Sequence, residues 1–141
     1  MHNSRASLFL MELMISIMFF ALSGAVCVQL FVKAHTINEL TQNKSQAVTI
    51  AQDICEYFHH FDGDKNATLS CFPYYEDSEE NVLLYFSENG TNCPSSEAKY
   101  VATLNWEQVL SYHILTLEIK DTDRMEVLYS SQIKKYTQST L

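Results

Sequence analysis

The first part of the chain shows two successive hydrophobic patterns. Residues 8–32 are almost continuously apolar, whereas residues 34–58 lack Gly and Pro and repeat apolar side chains at helical spacing. These repeats are Ile37, Leu40, Ala47/Val48, Ala51, Ile54/Cys55 and Phe58. The pattern predicts one helix from Leu8 to about Phe58, apolar on all sides at first and on one side later. Residues 59–64 end it, with Gly63 available for a left-handed cap.

The remaining residues show strand signals separated by turns. Residues 66–81 are irregular and predict a connecting loop, while four later segments are rich in β-branched, aromatic and aliphatic residues: 82–86, 99–104, 111–120 and 125–133. Short connections favour an antiparallel meander, and the helix must bury its stripe against one face. We therefore expect an α+β fold, a long N-terminal helix on a small antiparallel sheet of about four strands, with a fraying tail at 137–141.

The apolar run is long enough to cross a bilayer. Residues 8–32 would extend about 37 Å as a helix, against a hydrocarbon core of about 30 Å. Glu12 is the one charged residue inside this run. A charge at such a depth costs at least about 2.5 kcal/mol, so it indicates a function that involves a partner group.

Two simpler interpretations of the run account for it less well. A secretory signal would use Arg5, the apolar stretch 8–20 and a cut near 23–25, but it would contain Glu12, and apolar residues resume after the cut. A lipoprotein signal fails because the bulky Val26 precedes Cys27. A plain single-span anchor explains the length and leaves Glu12 unexplained.

Charge and size narrow the possible functions. The 141 residues allow one domain of about 100 residues behind the N-terminal segment, and the net charge of −8 comes almost wholly from residues after the apolar run. With no Lys/Arg cluster, such a surface repels phosphate backbones, so we expect no direct nucleic-acid binding. Arg5 before the run favours a cytoplasmic N-terminus and an extracytoplasmic remainder.

The string at residues 7–15, Ser-Leu-Phe-Leu-Met-Glu-Leu-Met-Ile, resembles the class III leader of type IV pilins and type II secretion pseudopilins. In that family a short leader is removed before an apolar residue, and a Glu stands at the fifth mature position. A cut after Ser7 makes Leu8 the first mature residue and Glu12 the fifth. Ser7 replaces the family's usual Gly, and Gln29 its helix-kinking Pro. The resemblance covers roughly the first 60 residues.

The resemblance implies a pilin-like minor subunit with four parts: leader 1–7, transmembrane helix 8–32, amphipathic continuation 33–61 and extracytoplasmic β-rich domain 62–141. Implied partners are a prepilin peptidase, which cleaves and methylates the N-terminus, an inner-membrane assembly platform, other pilin or pseudopilin subunits, and the lipid bilayer. The subunit would cross the plasma membrane once. Glu12 would pair with the new amino group of Leu8 on a neighbour, in a pilus, secretion or DNA-uptake system. The competing hypothesis is a membrane-anchored binding or adhesion domain that does not polymerise.

The cysteines leave several pairings open. Cys27 lies in the apolar run, so three of the four cysteines remain outside it. Cys71 with Cys93 is the favoured disulfide, Cys55 with Cys71 is the rival, and free thiols remain an alternative. No CxxC pair occurs, which argues against a zinc site.

Other motifs suggest no resident cofactor, metal or catalytic centre. The Asp62-x-Asp64-x-Asn66 pattern opens like an EF-hand, but Ala67 and Pro73 stand where its Gly and Glu belong, so we interpret it as a helix-end turn. Adjacent residues on a helix point in different directions, which argues against a metal site at His59 and His60. The acidic residues at 76–80 fit a solvated loop, although some of the resembled family stabilise such a loop with calcium. There is no Gly-rich phosphate loop or Gly-x-Ser-x-Gly context. We therefore expect that the protein is not an enzyme. The glycosylation sequons at Asn43, Asn66 and Asn89 are interpreted as chance matches.

Overall fold

The computed structural model describes residues 2–137, and of His2 the backbone alone. Its first element, α1, is a single helix, His2–His60. The chain divides into two compact units, the helical unit up to Leu40 and the sheet unit from Thr41 onward. The expected long helix is confirmed, although it begins before Leu8 and ends two residues after Phe58. The fraying expected at 137–141 falls outside the described residues, apart from Thr137.

The helix ends where Gly63 was expected to cap it. Gly63 has a φ of 83°, and its N–H donates to the carbonyl of Phe58 at 2.9 Å, which satisfies one of the last helical acceptors. Asp62 also has a positive φ, 52°. A second short helix, α2, follows at Lys65–Leu69, where Asp64 is the N-cap residue. The sequence pattern did not predict α2, since five residues are too few for a helical repeat.

The sheet has five antiparallel strands in the order β1-β2-β3-β4-β5, one more than expected. The strands are β1 Tyr75–Asp77, β2 Val82–Phe86, β3 Tyr100–Val109, β4 Tyr112–Asp121 and β5 Val127–Tyr136. The additional strand β1 lies within the predicted loop 66–81, because an edge strand of three residues gives no periodic signal. Strand β3 also extends beyond the predicted 99–104, since Asn105–Val109 pair one by one with β4.

The core lies between one face of the sheet and the part of α1 that belongs to the sheet unit. Alternate residues are buried along β2, in β3 from Tyr100 to Leu104 and in β4 from Leu115 to Asp121, while their neighbours are at least partly exposed, as a half-buried antiparallel sheet requires. The helix contributes Ala47, Ile50, Ala51, Ile54 and Phe58. The sheet contributes Val82, Leu84, Phe86, Tyr100, Ala102, Leu104, Leu115, Leu117 and Ile119. The stripe predicted from residue 47 onward is therefore the surface that packs on the sheet.

A buried polar cluster joins α1 to the sheet near the start of the sheet unit. The Tyr100 hydroxyl donates to Asn43 Oδ1 at 3.0 Å, and the Asn43 amide approaches Asp121 Oδ2 at 3.5 Å, the outer limit of a hydrogen bond. Asp121 also accepts the N–H of Asp123 at 2.8 Å. Burial raises the pKa of the Tyr100 hydroxyl, which therefore stays protonated and remains a donor at neutral pH. Because each polar side chain of the cluster has another member as its hydrogen-bond partner, the cluster fixes the position of the helix along the sheet.

We expect Asn43→Ala to lower the free energy of unfolding by about 1–3 kcal/mol, because it leaves the buried Tyr100 hydroxyl without its acceptor. Guanidinium unfolding of the full chain in micelles, followed by the fluorescence of Trp106, the one tryptophan, measures this loss. Asn105→Ala is the matched control, since Asn105 is exposed on β3 and should change stability by less than about 0.5 kcal/mol. Equal losses in the two variants would show that the cluster contributes nothing specific.

Candidate functional site

The residues singled out in the N-terminal segment all lie on the helical unit. Ser7, Leu8 and Glu12 are part of α1, and every side chain from Asn3 to Glu39 is exposed. Within the described residues, α1 is the helix long and apolar enough to cross a membrane; a signal sequence near an N-terminus meets the same criterion. The helical unit is therefore compatible with a single-pass membrane anchor.

Glu12 is the one charged residue on the apolar surface of residues 8–32. The backbone carbonyl of Glu12 accepts a hydrogen bond from the Ser16 hydroxyl at 2.9 Å, so this hydroxyl has its partner within the helix. Among residues 2–137, no residue forms an ion pair or hydrogen bond with the Glu12 carboxylate. Arg5 lies seven residues earlier, about 10.5 Å along the helix axis, and Lys33 lies about 31 Å further on. In hydrocarbon, the Glu12 side chain would be neutralised either by protonation or by a cationic group of another molecule.

Helical geometry places Leu8 and Glu12 on the same side of α1. Residues four apart are neighbours on a helix surface, so Leu8 precedes Glu12 by one turn. The side chains around Glu12 are large and apolar, and those of Leu8, Phe9 and Ile15 are exposed. This face combines an extensive apolar contact surface with one anionic position.

A separate cleft opens at one end of the sheet unit. One wall is formed by residues 61–66, which are the turn after α1 and the first two residues of α2, and the other is formed by Trp106, Glu107 and Gln108 of β3 with His113 of β4. Its volume is about 510 Å³, within the range of about 300–1,000 Å³ typical of small-molecule sites. Gly63 lies directly against His113, since a Cβ on Gly63 would be 2.7 Å from the His113 Cβ. The left-handed glycine thus lets the turn approach the sheet closely.

Several charged groups of the cleft are already engaged within the sheet unit. Asp64 Oδ1 accepts the N–H of Ala67 at 3.0 Å and thereby caps the start of α2. Lys65 Nζ pairs with Asp77 at 2.8 Å, and Lys135 Nζ lies 3.5 Å from Asp62 Oδ1. Within the described residues, no three His, Cys, Asp or Glu side chains are grouped closely enough to hold a metal ion.

The indole of Trp106 forms part of this cleft and is an exception to the rule that buried polar groups are hydrogen-bonded. Its Nε1 is buried and has no hydrogen-bond partner within the described chain. Phe61, Trp106 and His113 were not identified from sequence, because the turn and the two strands meet only in the folded sheet unit. The Asp62-x-Asp64-x-Asn66 pattern was the one available signal, and it indicated only the turn.

The cysteines are present as free thiols in the structure. Asn92 holds the loop next to Cys93 against the segment that follows Cys71, since its side chain bonds both the N–H and the carbonyl of Tyr74 at 2.8 and 2.9 Å. Burial raises the pKa of the Cys93 thiol, and Glu97 adds to the effect, so this thiol is a weak nucleophile at neutral pH. The Cys71–Cys93 disulfide stays a prediction.

Comparison of the chain with protein-family models, curated proteins and solved structures finds no match. The residues themselves therefore have to support any functional assignment.

Proposed function

We propose that the chain is a minor subunit of the pilin or pseudopilin type, anchored in the plasma membrane and assembled through its N-terminal helix into a filament. The observation that supports this proposal is the position of Glu12. It is a carboxylate on the exposed apolar surface of a continuous helix, one turn after the Leu8 at which the resembled leader would be cut.

In this proposal, a leader peptidase removes residues 1–7 at the cytoplasmic side and leaves Leu8 with a free amino group. That amine, on one subunit, neutralises the Glu12 carboxylate of a neighbour. A buried carboxylate requires such a partner, because desolvation alone would cost several kcal/mol. The pairing then sets the register of adjacent helices, while residues 8–32 provide the apolar contact surface. The sheet unit lies on the extracytoplasmic side.

The alternative is a single-pass anchored binding domain that does not polymerise. The cleft of the sheet unit favours it, because a ligand site in this unit requires no filament. The two functions differ in the role of Glu12, which only the filament subunit requires. Neither assigns a catalytic step to the chain.

The processing step is tested by N-terminal sequencing of the protein extracted from membranes of its native host. We expect the mature chain to begin at Leu8, because a cut after Ser7 places Glu12 fifth. A chain that begins at Met1 would contradict the proposal and favour the anchored domain. One that begins near Val26 would indicate a cleaved secretory signal, which removes Glu12 from the mature protein altogether.

A further inference from the structure

The cleft of the sheet unit, formed by residues 61–66 with Trp106, Glu107, Gln108 and His113, is a cavity that the proposed filament assembly does not use. Its lining is mixed. Phe61 and Trp106 supply aromatic surface, and the side chains of Asn66, Gln108 and His113 can each donate and accept hydrogen bonds. Asp64 and Glu107 supply acceptors only. This combination limits the chemistry of the ligand that the cleft can hold.

Charge excludes an anionic ligand. Lys65 is paired with Asp77 at 2.8 Å and Asp62 with Lys135 at 3.5 Å, which leaves the carboxylates of Asp64 and Glu107 without a cationic partner in the cleft. Phosphate or a carboxylate ligand would meet net repulsion there. A wholly apolar ligand is also unsuitable, because it would remove several polar side chains from water without replacing their hydrogen bonds.

An uncharged ligand with many hydroxyl groups matches this lining, because each hydroxyl both donates and accepts a hydrogen bond. Its hydroxyls donate to the carboxylates and exchange hydrogen bonds with the amide side chains of Asn66 and Gln108. The apolar C–H face of such a ligand can pack on the indole of Trp106, because a large aromatic ring offers an extensive apolar surface. Trp106 also carries a buried Nε1–H that has no hydrogen-bond partner in the described chain, so the indole retains an unused donor.

We infer that this cleft is a saccharide-binding site that takes a short neutral oligosaccharide. The inference is independent of filament assembly, since every residue in it belongs to the sheet unit. A cationic peptide is the competing ligand, because carboxylates and an aromatic ring also attract cations. The groups of Asn66, Gln108 and His113, which both donate and accept, favour the saccharide, since an ammonium or guanidinium group only donates.

The experiment uses the full-length protein in phospholipid nanodiscs, which avoids glycosidic detergents. Maltotriose, chitotriose and mannotriose are titrated while the fluorescence of Trp106 is recorded; because the chain has one tryptophan, the signal reports this cleft. We expect a saturable change with at least one trisaccharide, unaffected by high salt because the ligand is neutral. Trilysine and triarginine are titrated in parallel.

Two matched variants identify the site. Gln108→Ala should weaken the binding about three- to tenfold, as the loss of one hydrogen bond predicts. Gln132→Ala, on the exposed part of β5 and outside the cleft, should leave it unchanged, and circular dichroism should show both variants folded. The inference is overturned if no trisaccharide changes the fluorescence up to millimolar concentration, if only the peptides do so and high salt abolishes their effect, or if the two variants behave alike.

Discussion

Glu12→Ala is expected to remove the protein from filaments while leaving it in the membrane. The charge at residue 12 costs at least about 2.5 kcal/mol in hydrocarbon, so its removal should favour insertion of the helix. In the proposed filament, the same change would delete the partner of the neighbour's amino group and leave that amine unpaired in an apolar environment, a loss of about 3–5 kcal/mol for a buried pair. The two effects have opposite signs, which makes the variant diagnostic.

The measurement compares the membrane fraction with the sheared or cross-linked filament fraction, in cells that carry the assembly machinery. We expect a membrane pool at least as large as that of the wild type and a loss of the filament pool. Glu56→Ala is the matched control, since it makes the same substitution at an exposed position of the same helix beyond the apolar run and should assemble normally. Normal incorporation of Glu12→Ala would instead support the anchored domain that does not polymerise.

Phe58→Ala is expected to lower the free energy of unfolding of the sheet unit by about 3–5 kcal/mol. Phe58 is 0% exposed at the end of the helical stripe, where its carbonyl also accepts the capping N–H of Gly63. Removing the ring leaves a cavity between the helix and the sheet. Since domains of this size are stable by about 5–15 kcal/mol in total, the loss is a large share of the stability.

Guanidinium unfolding of the full-length protein, again followed through Trp106, tests this expectation. Phe20→Ala provides the matched control, because Phe20 is 83% exposed on the helical unit. Its removal should leave the unfolding midpoint of the sheet unit unchanged. Similar midpoints for Phe58→Ala and the wild type would mean that the helix packs on the sheet less tightly than its burial indicates.

Long, periodic features were predictable from sequence. The continuous helix, its cap at Gly63 and strand β2 all follow from local rules, namely hydrophobic spacing and the conformational freedom of glycine. Strand β3 was predicted only to Leu104, since the polar residues that follow lose the alternation of a half-buried strand. Pairing with β4 nevertheless holds them in the sheet. Strand β1 depends in the same way on the edge of β2, which three residues cannot signal by themselves.

The two candidate sites differ in the same way: one follows from local sequence and the other from long-range contacts. Glu12 could be recognised from sequence alone, because a single carboxylate in a membrane-length apolar run is anomalous wherever the rest of the chain lies. The cleft could not be recognised, since Phe61, Trp106 and His113 are distant in sequence and meet only when the turn after α1 closes against the sheet. Local periodicity determines which segments become helix or strand and which residue in them is out of place. Long-range pairing and packing decide which side chains share a cavity, because those contacts exist only after the strands and the helix have come together.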